Sequence, residues 1–235
     1  MVETKHRIPV GEETVAAVHH DAPGDDWLVY CHGFLSDKHG SYEHRCRRAV
    51  EHGYNAVRFD FRGCGDSDGA FVDQTLSSKL EDLRAVVDHF DPPSYALFGS
   101  SFGGKVAFHA AARDPRVDAV ATRAPVTANR AFDEYRAAVE REGEYQFETD
   151  DRIDRRFFDD FDEYDFDGVE ASLEVPVAIV HGRQDESVDV TDSVEAAARL
   201  ETDVLLEIFA EEGHLFSTAA EERLLERLFH WLEGQ

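Results

Sequence analysis

The chain reads as an α/β fold built on a mostly parallel, doubly wound sheet, and three features predict it. Apolar strand-like runs alternate with helix-periodic segments from residue 27 onward. The pattern Gly99-x-Ser101-x-Gly103 joins an apolar run, Tyr95 to Phe98, to a segment with Val106, Ala107, Ala110 and Ala111 on one helical side. Asp185 and His214 each follow a later apolar run, and sites in such sheets form at the carboxyl ends of the strands.

In chain order, residues 5–10 and 14–20 are expected to pair antiparallel, turning near Gly11. Trp27-Leu28-Val29-Tyr30-Cys31 is continuously apolar, as in a strand buried on both faces, and ends in His32-Gly33-Phe34. Tyr42, Cys46, Ala49 and Val50 set a helix over 39–52, and Asn55 to Phe61 is the next strand. Leu76, Leu80, Leu83, Val87 and Phe90 mark a helix that Pro92 and Pro93 close off. Beyond the serine motif come strands at 117–122 and 175–181, a helix around 190–201 and a strand at 203–209. A capping box of Thr218 with Glu221 is expected to open the last helix, ahead of Leu224, Leu225, Leu228 and Leu232.

One segment breaks this alternation. Nine aromatic residues, from Phe132 to Phe166, lie among acids between Val126 and Val175. So long a stretch needs structure of its own. It is read as a mainly helical cap over the site, about 127–174, inserted in a single domain spanning 1–235. Aromatic residues roofing a pocket favour esters with a flat or short acyl part.

Acidic residues number 50 against 24 Lys+Arg, giving a net charge of −26, and lysine is confined to Lys5, Lys38, Lys79 and Lys105. That balance resembles proteins of salt-loving archaea and bacteria. An acidic surface repels nucleic acid and anionic lipid, so neither is expected as a partner. With 42% hydrophobic residues and 17 Phe the charge does not signal disorder. Cys31, Cys46 and Cys64 are odd in number and lack metal-ligand spacing, so buried free thiols in a reducing compartment are expected. No apolar leader follows Met1 and no run approaches ~20 apolar residues, which predicts a cytoplasmic protein.

Chemistry centres on Ser101. A sharp strand-to-helix turn exposes the side chain at its tip in a strained backbone conformation, and small neighbours allow it. Centring the pattern on Ser100 would instead put Phe98 and Phe102 where glycines belong. Gly99, Gly104 and Lys105 also spell the start of a phosphate loop, but Val106 lacks the hydroxyl that would hold Mg²⁺. Glu163, Asp165, Asp167, Gly168 and Glu174 approximate a calcium loop, with Glu at the first position where Asp is usual. His19-His20-Asp21 reads as a strand end.

A serine nucleophile needs a base and an acid. The strand Pro176 to Val180 ends in His181-Gly182 and offers Asp185, with Asp189 as the fallback acid. The strand Val204 to Phe209 is followed by Gly213-His214. His214 can take the Ser101 proton while Asp185 holds its tautomer, and His181 shapes the strand end. The oxyanion donors are the backbone N–H groups of Phe102, next after the nucleophile, and Phe34.

His32-Gly33-Phe34, Asp60-Phe61-Arg62-Gly63-x-Gly65-x-Ser67-x-Gly69, the serine motif, His181-Gly182-x-x-Asp185 and Gly213-His214 together resemble the α/β-hydrolase superfamily. Phe34, the run Ser67 to Asp73 and a cap between the sixth and seventh strands are similar to its cinnamoyl and feruloyl esterases, which usually carry His where Cys64 stands. The resemblance implies an α/β-hydrolase fold and acyl transfer to water from a small-molecule ester, with no cofactor and no metal. Thioesterase and aminopeptidase-type chemistry use the same triad, and a non-catalytic binding protein of this fold is the alternative outside enzymes. Oligomeric state is not indicated.

Overall fold

The computed structural model describes residues 2–235. An antiparallel pair, β1 (Glu3–Val10) and β2 (Glu13–His20), opens the chain, and β3 (Trp27–Cys31) follows. Then come α1 (Ser41–Glu51), β4 (Asn55–Phe59), α2 (Leu76–Phe90), β5 (Tyr95–Ser100), α3 (Phe102–Ala111) and β6 (Val117–Arg123). The segment after β6 contains α4 (Asp133–Glu142), β7 (Glu144–Gln146), β8 (Arg152–Asp154), α5 (Arg155–Phe161) and α6 (Asp167–Glu170). The chain closes with β9 (Val177–Gly182), α7 (Val190–Arg199), β10 (Val204–Phe209) and α8 (Thr218–Leu232).

Eight strands form one sheet in the order β1-β2-β4-β3-β5-β6-β9-β10, parallel from β4 through β10. The interior strands β4, β5 and β9 are buried at every position, the polar Asn55, Arg58 and His181 included. Alternation of side chains sends Leu28 and Tyr30 to one face and Val29 and Cys31 to the other. The first face packs against Cys46 and Ala49 of α1 and Leu224, Leu225 and Phe229 of α8. The opposite face carries Leu83 and Val87 of α2, Val106 and Phe108 of α3, and Ala196 of α7.

Between β6 and β9 the chain is mainly helical, as expected, with α4, α5 and α6, and the short strands β7 and β8 form a two-stranded hairpin between α4 and α5. Of its aromatic residues, Phe157, Phe158, Phe161 and Phe166 are buried in the same cluster as the α2–α3 face. These rings make the segment continuous with the core.

Helix boundaries follow local chemistry. Thr75 and Ser78 form a reciprocal capping box ahead of α2, which ends at Asp91 in the left-handed region before Pro92. The capping box expected at Thr218 is not formed, because Ser217 caps α8 by accepting from Ala220 N–H and Glu221 is drawn to Arg45. All three cysteines are buried and unpaired. Among the described residues no helix is long and apolar enough to cross a membrane.

Candidate active site

At the end of β5 the backbone makes the turn that the serine motif requires. Ser101 sits at φ 53° and ψ −118°, a conformation that costs a non-glycine residue on the order of 1–3 kcal/mol and needs neighbours to enforce it. Its N–H donates to Arg123 O at 2.9 Å, and its carbonyl accepts from Gly104 N–H at 2.9 Å and Val126 N–H at 3.1 Å. A Cβ at Gly103 would lie 2.2 Å from Cys31 O, so only glycine lets α3 start this close to β3. Ser100 is excluded as the nucleophile by its surroundings: it is buried, and its Oγ accepts from Arg45 Nη1 at 3.0 Å.

Asp185 and His214 come together at the ends of β9 and β10. A Cβ at Gly182 would meet Glu212 O and Gly213 O at 2.4 Å, and this contact brings the loop carrying His214 against the loop carrying Asp185. His214 Nδ1–H donates to Asp185 Oδ2 at 2.7 Å. The other carboxylate oxygen accepts from Ser187 N–H at 2.8 Å and Val188 N–H at 2.9 Å. Burial pushes the Asp185 carboxyl up, but the donors from His181, His214 and Val188 outweigh it and hold the group well below the usual carboxylate range. Asp185 is thus a fixed anion facing the ring. Asp189, the fallback acid, caps α7 instead and accepts from Thr191 N–H.

Ser101 and His214 line one cavity of about 650 Å³. Among the described residues no hydrogen bond joins Ser101 Oγ to the ring, and such contacts commonly tighten only once substrate is bound. Phe34 borders the same cavity, and its loop passes beside the serine: a Cβ at Gly33 would sit 3.5 Å from Ser101 Cβ. Phe102 is the first residue of α3, so its N–H has no acceptor within the helix. The Phe34 ring is gripped by Phe71, Phe102, Phe132, Phe147 and Phe157 at 5.2–5.5 Å, which fixes the backbone of this turn.

The cavity wall divides by polarity. Phe34, Val126, Phe132 and Tyr135 supply apolar surface, whereas Asp133, Glu134, Glu186 and Asp189 supply carboxylates. Of the nine aromatic residues between β6 and β9, Phe132 and Tyr135 reach this cavity, while Phe161 stacks on Phe102 at 5.8 Å and Phe157 packs against it, tilted, at 5.9 Å.

Other motif residues brace loops. Asp60 is fully buried, pairs with Lys38 Nζ at 2.6 Å and accepts from Asp66 N–H at 2.8 Å, which wraps the loop from Arg62 to Gly69 around it. His32 accepts from Phe61 N–H at 3.1 Å through Nε2, and burial pushes its pKa down to about 3, so it serves as a neutral strut. Lys105 overturns the phosphate-loop alternative. Its Nζ is buried against the Phe161 ring and donates to Asn129 Oδ1 and Tyr164 O, leaving no ammonium for a phosphate. Burial pushes that ammonium down to about 7. In the calcium-like stretch, Asp167 and Glu170 both pair with Arg199.

Sequence reasoning missed a buried group behind the turn. Arg45 of α1, Ser100, Arg123 of β6 and Glu221 of α8 meet there, with Arg45 and Glu221 in direct contact. Helical spacing gave no signal for it, because an arginine on an amphipathic helix reads as surface.

The family model for the alpha/beta hydrolase fold matches residues 26–153. The chain is similar to the palmitoyl-protein thioesterase ABHD10, mitochondrial, of Pongo abelii, 28% identical over 216 residues that make up 84% of this chain and 70% of that protein. Its shape is similar to the structure of alpha/beta hydrolase domain-containing protein 10 from mouse, with a TM-score of 0.87 at 22% identity over 98% of this chain and 99% of the other. Est1E from Butyrivibrio proteoclasticus with ferulic acid bound superposes with a TM-score of 0.88 at 21% identity, each chain covered to 98%. At these identities the structural likeness is one of fold.

Proposed function

Because the chain belongs to the α/β-hydrolase family, we propose that it is a serine hydrolase cleaving carboxylic esters through an acyl-enzyme on Ser101. The 2.7 Å hydrogen bond from His214 to Asp185, in the cavity that Ser101 also lines, carries this reading. Ser101 Oγ attacks the acyl carbonyl carbon and His214 Nε2 takes its proton. The N–H groups of Phe34 and Phe102 receive the oxyanion, and the imidazolium then protonates the leaving group. Water, deprotonated by His214, attacks the acyl-enzyme and releases the acid.

Short-chain and aryl esters fit an apolar wall of Phe34, Phe132 and Tyr135. A thioester reading has its own support in the thioesterase relative, 28% identical over 84% of the chain. Labelling with a fluorophosphonate, followed by matched oxygen and sulfur esters, tests both readings. Labelling at Ser101 with turnover of the oxygen esters is expected, turnover confined to the sulfur esters moves the substrate class, and an unlabelled, inactive protein rejects the mechanism.

The carboxylates on the cavity wall act on substrate charge. An aryl ester with an anionic acyl part is expected to have kcat/KM roughly 10-fold below a neutral ester of the same size in 0.1 M salt, with the gap closing near 1 M KCl as screening shortens from ~10 to ~3 Å. Equal rates at low salt count against any electrostatic selection by Asp133, Glu134 and Glu186.

Salt adaptation and a cytoplasmic location belong to the same proposal, supported by three buried free thiols and by the surface charge. Lys38, Lys79 and Lys105 are buried, so the exterior cations are arginines with Lys5. Against 50 acids these leave strong self-repulsion. Thermal midpoints are therefore expected to rise steeply from low to multimolar KCl, and coincident melts dispose of the salt-adapted reading.

A further inference from the structure

His181 is the penultimate residue of β9, its side chain fully buried and four residues before Asp185. Its Nε2 lies 3.1 Å from Asp185 Oδ2 and 3.1 Å from Val188 O. Neither oxygen can donate, so Nε2 must carry the proton and share it between them. The other ring nitrogen, Nδ1, is 2.7 Å from Ser193 Oγ on α7, a hydroxyl able to donate to it. The ring is thereby fixed at both nitrogens. Asp185 Oδ2 is the same oxygen that His214 uses, so two imidazoles converge on one atom while two backbone N–H groups hold Oδ1.

On the serine-hydrolase reading above, we infer that His181 is a positioning residue for the general base, holding through its Nε2–H the carboxylate oxygen that orients His214. A carboxylate tied by Ser187 and Val188 alone can still rotate about its Oδ1 side. The His181 donor closes that freedom and withdraws part of the negative charge that His214 would otherwise feel. Charged groups near this pair include Arg123 of β6, Asp189 near His181, and Glu186, which lines the cavity with His214.

Removing the donor therefore has two effects of known sign. Orientation is lost, which lowers kcat with KM little changed. Charge returns to Oδ2, which favours the imidazolium of His214 and moves the acid limb of the kcat/KM profile to higher pH. A merely structural histidine would lower activity without moving that limb.

The test compares His181→Phe, which keeps a ring without a donor, with His181→Gln, whose amide N–H reaches to where Nε2 stands. His181→Phe is expected to lose roughly 10- to 100-fold in kcat, with the limb displaced upward. His181→Gln is expected to bring the limb back and to recover most of the loss. Superposable pH profiles for wild type and His181→Phe overturn the inference. Should the phenylalanine variant not fold, long-range ¹H–¹⁵N spectra of the wild type decide: a His181 ring protonated at Nε2 is expected, and a ring lacking that proton overturns it. Wild type that neither labels with fluorophosphonate nor turns over ester fails the hydrolase reading itself, whatever the tautomer of His181.

Discussion

Ser101→Ala and His214→Ala are each expected to lower kcat by up to ~10⁶-fold with the fold retained, and Asp185→Ala by about 10⁴-fold. In the proposed mechanism the ranking follows from the role of each group. Without Ser101 no acyl-enzyme forms, and without His214 the hydroxyl has no acceptor for its proton. Asp185 acts one step removed, through a single hydrogen bond to His214 Nδ1. Because the three act as one unit, the double variant Ser101→Ala with His214→Ala should be little worse than either severe single. Turnover of purified variants on an aryl ester measures this, with circular dichroism as the control for folding. Near-normal turnover in Ser101→Ala would falsify the mechanism, and loss of activity at Asp189 but not at Asp185 would move the acid to the cap of α7.

The same residues show what a sequence can disclose and where it stops. The turn at Ser101 was legible because its signal is local: a buried strand, small residues at fixed spacing and a helix are all written within fourteen positions, Tyr95 to Phe108. Asp185 and His214 were legible because strand ends can be counted along the chain. Lys105 was ambiguous for the opposite reason. Its spacing from Gly99 matches a phosphate loop, and only the packing of Asn129, Phe161 and Tyr164 around its Nζ shows where the ammonium goes. Contacts of that kind join residues 24 to 59 positions apart and leave no period in the sequence. The aromatic residues after β6 were similarly undecided. Phe132 turns to the cavity and Phe161 to the core although both stand in similar acidic surroundings. Glu221 was misassigned because Thr218-x-x-Glu221 is a sound capping pattern, yet a fully buried guanidinium makes the stronger demand on a carboxylate than a helix end that Ser217 can satisfy.

That demand sets the second large effect. Arg45 lies between the Tyr42 and Phe98 rings, 4.7 and 4.8 Å from their centroids, with Arg123 Nη1 3.8 Å from the far oxygen of Glu221. Two guanidinium groups thus share one buried carboxylate. Burial pushes the Glu221 carboxyl up, but Arg45 and Arg123 outweigh it and hold the group below its ordinary range. Its contribution is therefore present above the unfolded glutamate value near ~4.3 and is lost as pH falls through the lower folded one. Glu221→Gln leaves two positive charges facing each other out of water, and a loss of about 3–5 kcal/mol is expected, since breaking a buried pair strands the partner. Arg45→Met leaves Arg123 and Glu221 as a neutral pair beside an apolar chain of similar length, so it should cost clearly less. Adding Arg45→Met to Glu221→Gln removes one of the two stranded charges and should recover part of the loss. Denaturant unfolding of the four proteins in high salt, where surface repulsion is screened, reads out the order. If Arg45→Met proves the more damaging single change, the rings of Tyr42 and Phe98 and the bond to Ser100 hold this corner together, and the shared carboxylate does not.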